Sequence, residues 1–325
     1  MRIHHHDHYP LRAKGLRDFG HGIFSVDSGY LRDELDAVHL LVEKGRLAII
    51  DTATERSVPR TLQAIEALGL SVESVDFIVL THVHLDHAGG AGALMAACPN
   101  ARLTVHPRGL RHMLDPSQLW ASVCSVYGEE MALREYGPLT PVAQERIIQT
   151  PEGSSISLAG RTLAFWDAPG HARHHVFIQD SQTGGIFTGD TFGISYRELD
   201  TPKGSFIFVT CPPTQFEPEP LKASIERVIG AQPPAVYLTH YSQVRDVSAA
   251  GAQLLRQVDQ YVDIAMARRD HGPERAKAIE ADLHDLIGGQ ARQMGVTLDD
   301  KTLGNVLALD LRLNADGLSH WLERL

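Results

Sequence analysis

The chain has 325 residues, 43% of them hydrophobic and 22% charged, and a formal net charge of -10. That length supports one large domain or two, and the acidic balance excludes a general binder of nucleic-acid backbone, which needs a basic face. No apolar run reaches the roughly 18–20 residues that cross a bilayer, so no membrane partner is expected. Cys98, Cys124 and Cys211 are too few and too scattered for a disulfide framework or a Cys-x-x-Cys metal site. Together with an N-terminus that lacks the apolar core of a signal peptide, they point to a reducing cytoplasm.

The chain opens on a histidine-rich stretch, His4-His5-His6-Asp7-His8, which precedes any core element and reads as a solvated arm. Strands are predicted over 22–26, 38–42 and 47–50, with Gly45 as the turn between the last two. Asp51 ends the third. Leu62, Ile65 and Leu68 keep helical spacing before Gly69. The apolar run Phe77-Ile78-Val79-Leu80 then reads as a buried strand, followed directly by Thr81-His82-Val83-His84-Leu85-Asp86-His87-Ala88-Gly89-Gly90. Three imidazoles and a carboxylate within six residues are ligands that suit zinc, iron or manganese. A solvated loop with scattered histidines is the plainer alternative, and it seldom gathers donors so closely.

A helix is predicted over 91–97 and a strand over 103–106, so strand and helix alternate as in a layered α/β protein. Residues 108–147 interrupt that rhythm with a helical insertion rich in apolar side chains. Its aromatic residues fit packing, and they also fit a substrate lid, with Trp120 and Tyr127 as lining candidates. Three later strands, 162–166, 185–188 and 235–238, each run into one metal-competent residue: His171 after Pro169-Gly170, Asp190 after Thr188-Gly189, and His240 after Leu238-Thr239. Each is weak alone. Four strand ends carrying donors in one chain are hard to explain without a metal. After Tyr241 the pattern turns helical, with helices predicted over 247–268, 274–287, 303–311 and 318–325, and the Gly288-Gly289 pair ending the second.

The motif His-x-His-x-Asp-His at 82–87, followed by Pro-Gly-His, Thr-Gly-Asp and Leu-Thr-His, resembles the metallo-β-lactamase-fold superfamily over most of residues 19–241. The resemblance implies an α/β fold, a four-layer αββα sandwich over 1–245, with an α-helical C-terminal extension over 246–325. It implies two divalent metal ions, zinc first, with iron or manganese as alternatives. His82, His84 and His171 would hold one; Asp86, His87 and His240 the other; Asp190 would bridge them. Asp51 would support the metal loop. His174 stands where many relatives have glycine, and His175 matches a histidine that is usually not a ligand, so both are expected to be structural.

An aspartate at 190 resembles the glyoxalase II, lactonase, phosphodiesterase and diiron branches, whereas typical zinc β-lactamases place a cysteine there. The implied enzyme is a dinuclear metallohydrolase that turns a metal-activated hydroxide on a small carboxylic ester, thioester or lactone, with Asp86 orienting that nucleophile. The walls would come from Trp120, Tyr127, Phe192, Tyr196 and Tyr241. Two other readings stand beside it: an iron-dependent oxidoreductase resembling persulfide dioxygenases, and a metal-containing signal-response protein acting through its helices. A small-molecule substrate and a possible homodimer complete the expected partners, with no nucleic acid among them.

Overall fold

The structure is a computed structural model that describes residues 15–325, apart from the side chains of residues 126 and 127. The histidine-rich residues 4–8 and the Tyr127 side chain therefore lie outside the described residues. The first sheet takes seven strands in chain order: β1 (Leu16–Asp18), β2 (Ile23–Asp27), β3 (Ala37–Glu43), β4 (Arg46–Ile50), β5 (Val75–Val79), β6 (Arg102–Val105) and β7 (Ile147–Gln149). The first four meander antiparallel, and β4 through β7 run parallel. Parallel neighbours need crossovers, and here they are helical. The links are α1 (Val58–Ala67), then α2 (Leu85–Ala88) with α3 (Ala91–Ala97), then α4 (Leu110–Leu114), α5 (Ser117–Tyr127) and α6 (Glu129–Tyr136).

The second sheet has six strands, β8 (Ser155–Leu158), β9 (Arg161–Asp167), β10 (Val176–Asp180), β11 (Ile186–Gly189), β12 (Val236–Leu238) and β13 (Ser242–Val244), in the order β13-β12-β11-β10-β9-β8. Helix α7 (Pro218–Ala231) precedes β12, and α8 (Val247–Ala267), α9 (Arg275–Met294) and α10 (Asp300–Leu322) close the chain. Two sheets with a C-terminal helical region make the expected mixed α/β sandwich. By compactness the chain divides into one unit that runs through Trp166 and includes Ile178–Phe187, and a second made of Asp167–Phe177 and Thr188–Leu325.

In the first unit the central strands are buried on both faces, as parallel sheets covered by crossovers require. Val38, Leu40, Leu47, Ile49, Ile78 and Leu103 join one apolar cluster with Ala64 and Ile65 of α1 and Leu94 and Met95 of α3. On the opposite face, His39 of β3 meets the Phe187 ring edge-on at 5.4 Å. In the second unit α9 packs along α10, and α8 lies against both.

Two expectations for the C-terminal helices are corrected. Gly288-Gly289 does not end α9, which continues to Met294 and stops at Gly295 in the left-handed region. Ile279, Leu283, Ile287 and Ala291 bury one continuous stripe across the glycine pair, and that burial outweighs roughly 1 kcal/mol of lost propensity per glycine. Likewise 303–311 and 318–325 are not separate helices. Leu303, Leu307, Leu311, Leu318 and Leu322 are buried along a single α10 that passes straight through the turn-like Asn314-Ala315-Asp316-Gly317. Strands β1, β7, β8, β10 and β13 and helix α7 were not among the predicted elements.

A buried ion pair fixes the start of β9 in the first unit. Arg161 grips Asp180 through Nε–Oδ1 and Nη2–Oδ2, both 2.6 Å, and donates to the His21 carbonyl at 2.6 Å. Both side chains are almost wholly buried, and the guanidinium together with the Thr183 hydroxyl offsets burial enough to hold the Asp180 carboxyl below its ordinary range. Arg161→Met strands that carboxylate and is expected to cost about 3–5 kcal/mol in urea unfolding; a loss under about 1 kcal/mol would contradict it.

Burial also pulls the His39 imidazole down to about 4, against a smaller opposing pull from Asp51. A folded value below the unfolded one means that the neutral ring is favoured by folding. Its contribution is complete above pH 6.5 and is lost as pH falls towards 4. Between pH 7.5 and 5 this group should remove about 2 kcal/mol. Unfolding curves of His39→Leu should lack that share of the pH dependence, and an unchanged dependence would show the ring is not the group responsible.

Candidate metal centre

In the first unit the donors follow β5. Asp51, at the end of β4, takes the left-handed conformation (φ 56), as does Ala53 (φ 52), and packing must hold both against their intrinsic preference. The result is a carboxylate aimed along the loop that leaves β5. It accepts from the Thr81 backbone N–H at 2.8 Å, from the Thr81 hydroxyl at 2.8 Å and from His87 Nδ1 at 2.8 Å. Thr52 donates its own N–H to the His87 carbonyl at 2.7 Å and its hydroxyl at 2.8 Å. His87 is thereby held at both ends, with Nδ1–H spent on Asp51 and Nε2 left as the nitrogen with a lone pair.

The same logic runs through Thr81. Its hydroxyl proton goes to Asp51, so its oxygen accepts from His82 Nδ1 at 3.1 Å and leaves the lone pair on His82 Nε2. His82 Nε2 lies 2.9 Å from His84 Nδ1, and the His82 and His87 rings are 4.0 Å apart. Asp86, in the first turn of α2, is half-buried with its Oδ2 3.9 Å from His87 Nε2. The six-residue motif thus gathers its three imidazoles around one carboxylate-backed corner.

In the second unit, His171, Asp190 and His240 each leave the C-terminal end of a strand, β9, β11 and β12 respectively. The His171 loop is pinned by α7. Gly170 sits at φ +124, where a Cβ would fall 2.3 Å from Leu221 Cα, so no other residue fits. Ser224 donates to the Pro169 carbonyl at 2.8 Å, and the Glu217 N–H to the Gly170 carbonyl at 2.9 Å. Asp190 is flanked on both oxygens: Oδ2 is 3.4 Å from His171 Nε2, and Oδ1 is 3.8 Å from His240 Nε2. All three side chains are less than 10% exposed.

A buried carboxylate facing an imidazole nitrogen with each oxygen is suited to two cations, one per oxygen. The donors are imidazole and carboxylate alone, which fits zinc, iron or manganese. Cys211, the nearest cysteine in sequence to Asp190, is buried with its thiol pushed well above its ordinary value, and a protonated thiol is a poor ligand. His175 Nε2 accepts from the Asp190 N–H at 3.2 Å. His174 is buried as well.

The lining candidates are spread differently. Trp120 is half-buried on α5. Phe192 is fully buried, its ring against the Cα face of Gly251 in α8. Tyr196 is buried with its hydroxyl donating to Asp310 of α10 at 3.0 Å, and Tyr241 is fully buried. Sequence reasoning missed Thr81 and Thr210, whose hydroxyls meet His82 and His171 Nδ1 at 3.1 and 2.8 Å. Thr81 stood beside the motif as a usable signal. Thr210, twenty positions beyond Asp190 and in no motif, offered none.

Residues 36–241 match the metallo-beta-lactamase superfamily. The metallo-beta-lactamase fold-containing protein ST1585 of Sulfurisphaera tokodaii is 25% identical over 226 residues, covering 67% of this chain and 78% of that one. The ST1585 crystal structure aligns over 92% of this chain and 98% of its own with a TM-score of 0.64 and 20% identity. A hydroxyacylglutathione hydrolase of Tolumonas auensis is 26% identical over 151 residues, which span 46% of this chain and 45% of that enzyme. The chain belongs to the metallo-beta-lactamase superfamily.

Proposed function

We propose that this chain is a hydrolase of a small carboxylic ester, thioester or lactone that works with two divalent metal ions, zinc before iron or manganese. In this reading His82, His84 and His171 hold one ion, Asp86, His87 and His240 hold the other, and Asp190 bridges them. The observation that carries the reading is the Asp190 carboxylate, with His171 Nε2 beside one oxygen and His240 Nε2 beside the other. The partial likeness to a hydroxyacylglutathione hydrolase favours an acyl group carried on sulfur, although the two chains share less than half of that enzyme's length.

Two bound ions would supply an acidified water at neutral pH and polarisation of the substrate carbonyl. The chain's own residues do the rest. Asp86 is the more exposed of the acidic donors, and in this reading it orients the attacking water and accepts its proton. Asp51 and Thr81 keep His87 and His82 in the tautomer that offers Nε2. Trp120 is the wall residue we propose for the acyl group, with Tyr127 on the same helix. Phe192, Tyr196 and Tyr241, buried as they are, would act by packing behind the site.

Asp190→Ala should reduce bound metal from two per chain to one or fewer and abolish turnover, measured by elemental analysis beside a panel of ester, thioester and lactone substrates. Two ions per chain with full activity would remove the bridging role. Against the same panel, Trp120→Ala should weaken turnover of long acyl chains relative to short ones by about 1–3 kcal/mol. Equal losses on both, preference for phosphodiesters, or oxygen uptake with persulfides in place of hydrolysis would each overturn the substrate class.

A further inference from the structure

We propose that Thr210 is a positioning residue for His171, and that the C-terminal helices set the metal centre through it. The proposal rests on the reading of His171 as a ligand and adds residues that the family motif does not contain. Thr210 Oγ1 lies 2.8 Å from His171 Nδ1 and 3.4 Å from the Asp190 carbonyl oxygen. A hydroxyl has one proton to give. With that proton directed to the Asp190 carbonyl, the ring must donate Nδ1–H to Oγ1, and His171 Nε2 keeps its lone pair towards Asp190 Oδ2, 3.4 Å away. One side chain thus ties the ring of one donor to the backbone of another.

What places Thr210 is unusual. Residues 206–211 belong to no strand, and Phe208 alone of them forms a single bridge, with Ile194. At Ile207, Val209 and Cys211 the backbone is met by side-chain amides of the helices instead. Gln257 of α8 accepts from the Val209 N–H at 3.1 Å and donates to the Ile207 carbonyl at 3.3 Å, which Gln253 also reaches at 2.6 Å. Asn314 of α10 donates to the Val209 carbonyl at 3.0 Å and accepts from the Cys211 N–H at 2.6 Å. Gln257 is steadied in turn by Gln290 of α9 at 2.8 Å. Gly317 lets α10 approach so closely that a Cβ there would stand 2.0 Å from the Cys211 carbonyl oxygen.

Thr210 is therefore bracketed on both sides, at Val209 and Cys211, by one asparagine from a helix more than a hundred residues later in the chain. Gln257 and Asn314 are nearly inaccessible to solvent, where an amide is expensive unless its partners are fixed. If these amides served only the fold, changing the Thr210 hydroxyl would leave the ring and the metal affinity untouched. If they place Thr210 for His171, both must change.

The test uses the full chain and zinc as the probe, comparing wild type with Thr210→Val, Thr210→Ser and Asn314→Ala. The tautomer of His171 is read in the metal-free protein by long-range proton–nitrogen NMR, and zinc affinity by competition with a chromophoric chelator. Thr210→Val should shift His171 from the Nδ1–H form towards Nε2–H and weaken one zinc equivalent about 10–100-fold. Thr210→Ser, which keeps the hydroxyl, should stay within about threefold of wild type. Asn314→Ala should weaken the same equivalent in the same direction, and it carries the test should Thr210→Val fail to fold. Wild-type tautomer and affinity in Thr210→Val, or in Asn314→Ala where that variant carries the test, would overturn the proposal while leaving the metal reading intact. A wild-type chain that binds no zinc, yet shows the tautomer shift in Thr210→Val, would overturn the metal reading and keep the positioning role.

Discussion

An imidazole has two nitrogens, and a metal can use a histidine only when the other nitrogen has been settled. The structure meets that constraint one ring at a time. His87 gives Nδ1–H to Asp51, His82 meets the Thr81 hydroxyl, and His171 meets the Thr210 hydroxyl. In the first two cases the chain of hydrogen bonds ends on one carboxylate, so a single buried Asp51 decides the tautomer of two donors. The left-handed backbone at Asp51 and Ala53 belongs to the same constraint, because it turns that carboxylate along the loop leaving β5.

The fold supplies stiffness where the donors leave it. β5 is flanked by parallel β4 and β6, the strands that precede Asp190 and His240 are wholly buried, and β9 before His171 alternates buried and half-buried residues. Loops leaving the C-terminal ends of such strands start from fixed points, which suits side chains that must hold positions to fractions of an ångström. The loops are then clamped by helices. Gly170 admits α7 against the His171 turn, and Gly317 admits α10 against Cys211. Either close approach would be impossible with a side chain at that position.

Much of this was legible in the sequence because donors of unusual type stood at regular places. His82, His84, Asp86 and His87 form a dense motif, and the later donors each follow an apolar run. Asp51 could be named as a supporting residue only through the family resemblance, since its place at a strand end fitted a simple turn residue equally; its carboxylate accepts from Thr81 and His87. What was not legible depends on partners distant in sequence. Gly288-Gly289 looks like a stop until Leu283, Ile287 and Ala291 are seen to bury one face across it. The packing of Phe192 against α8 and the bond of Tyr196 to α10 likewise have no local sequence signal. Thr210 and Asn314 carry no local signal, since an amide that satisfies a backbone a hundred residues away has no spacing rule.

The central claim is that Asp190 joins two ions within a shell of nitrogen and oxygen donors. X-ray absorption at the zinc edge of the zinc-loaded protein addresses it directly. The expected spectrum has only nitrogen and oxygen neighbours at about 2.0–2.2 Å and a metal–metal vector of about 3.5–4 Å that disappears in Asp190→Ala. A sulfur shell, or a single zinc with no metal–metal vector at full loading, would contradict it.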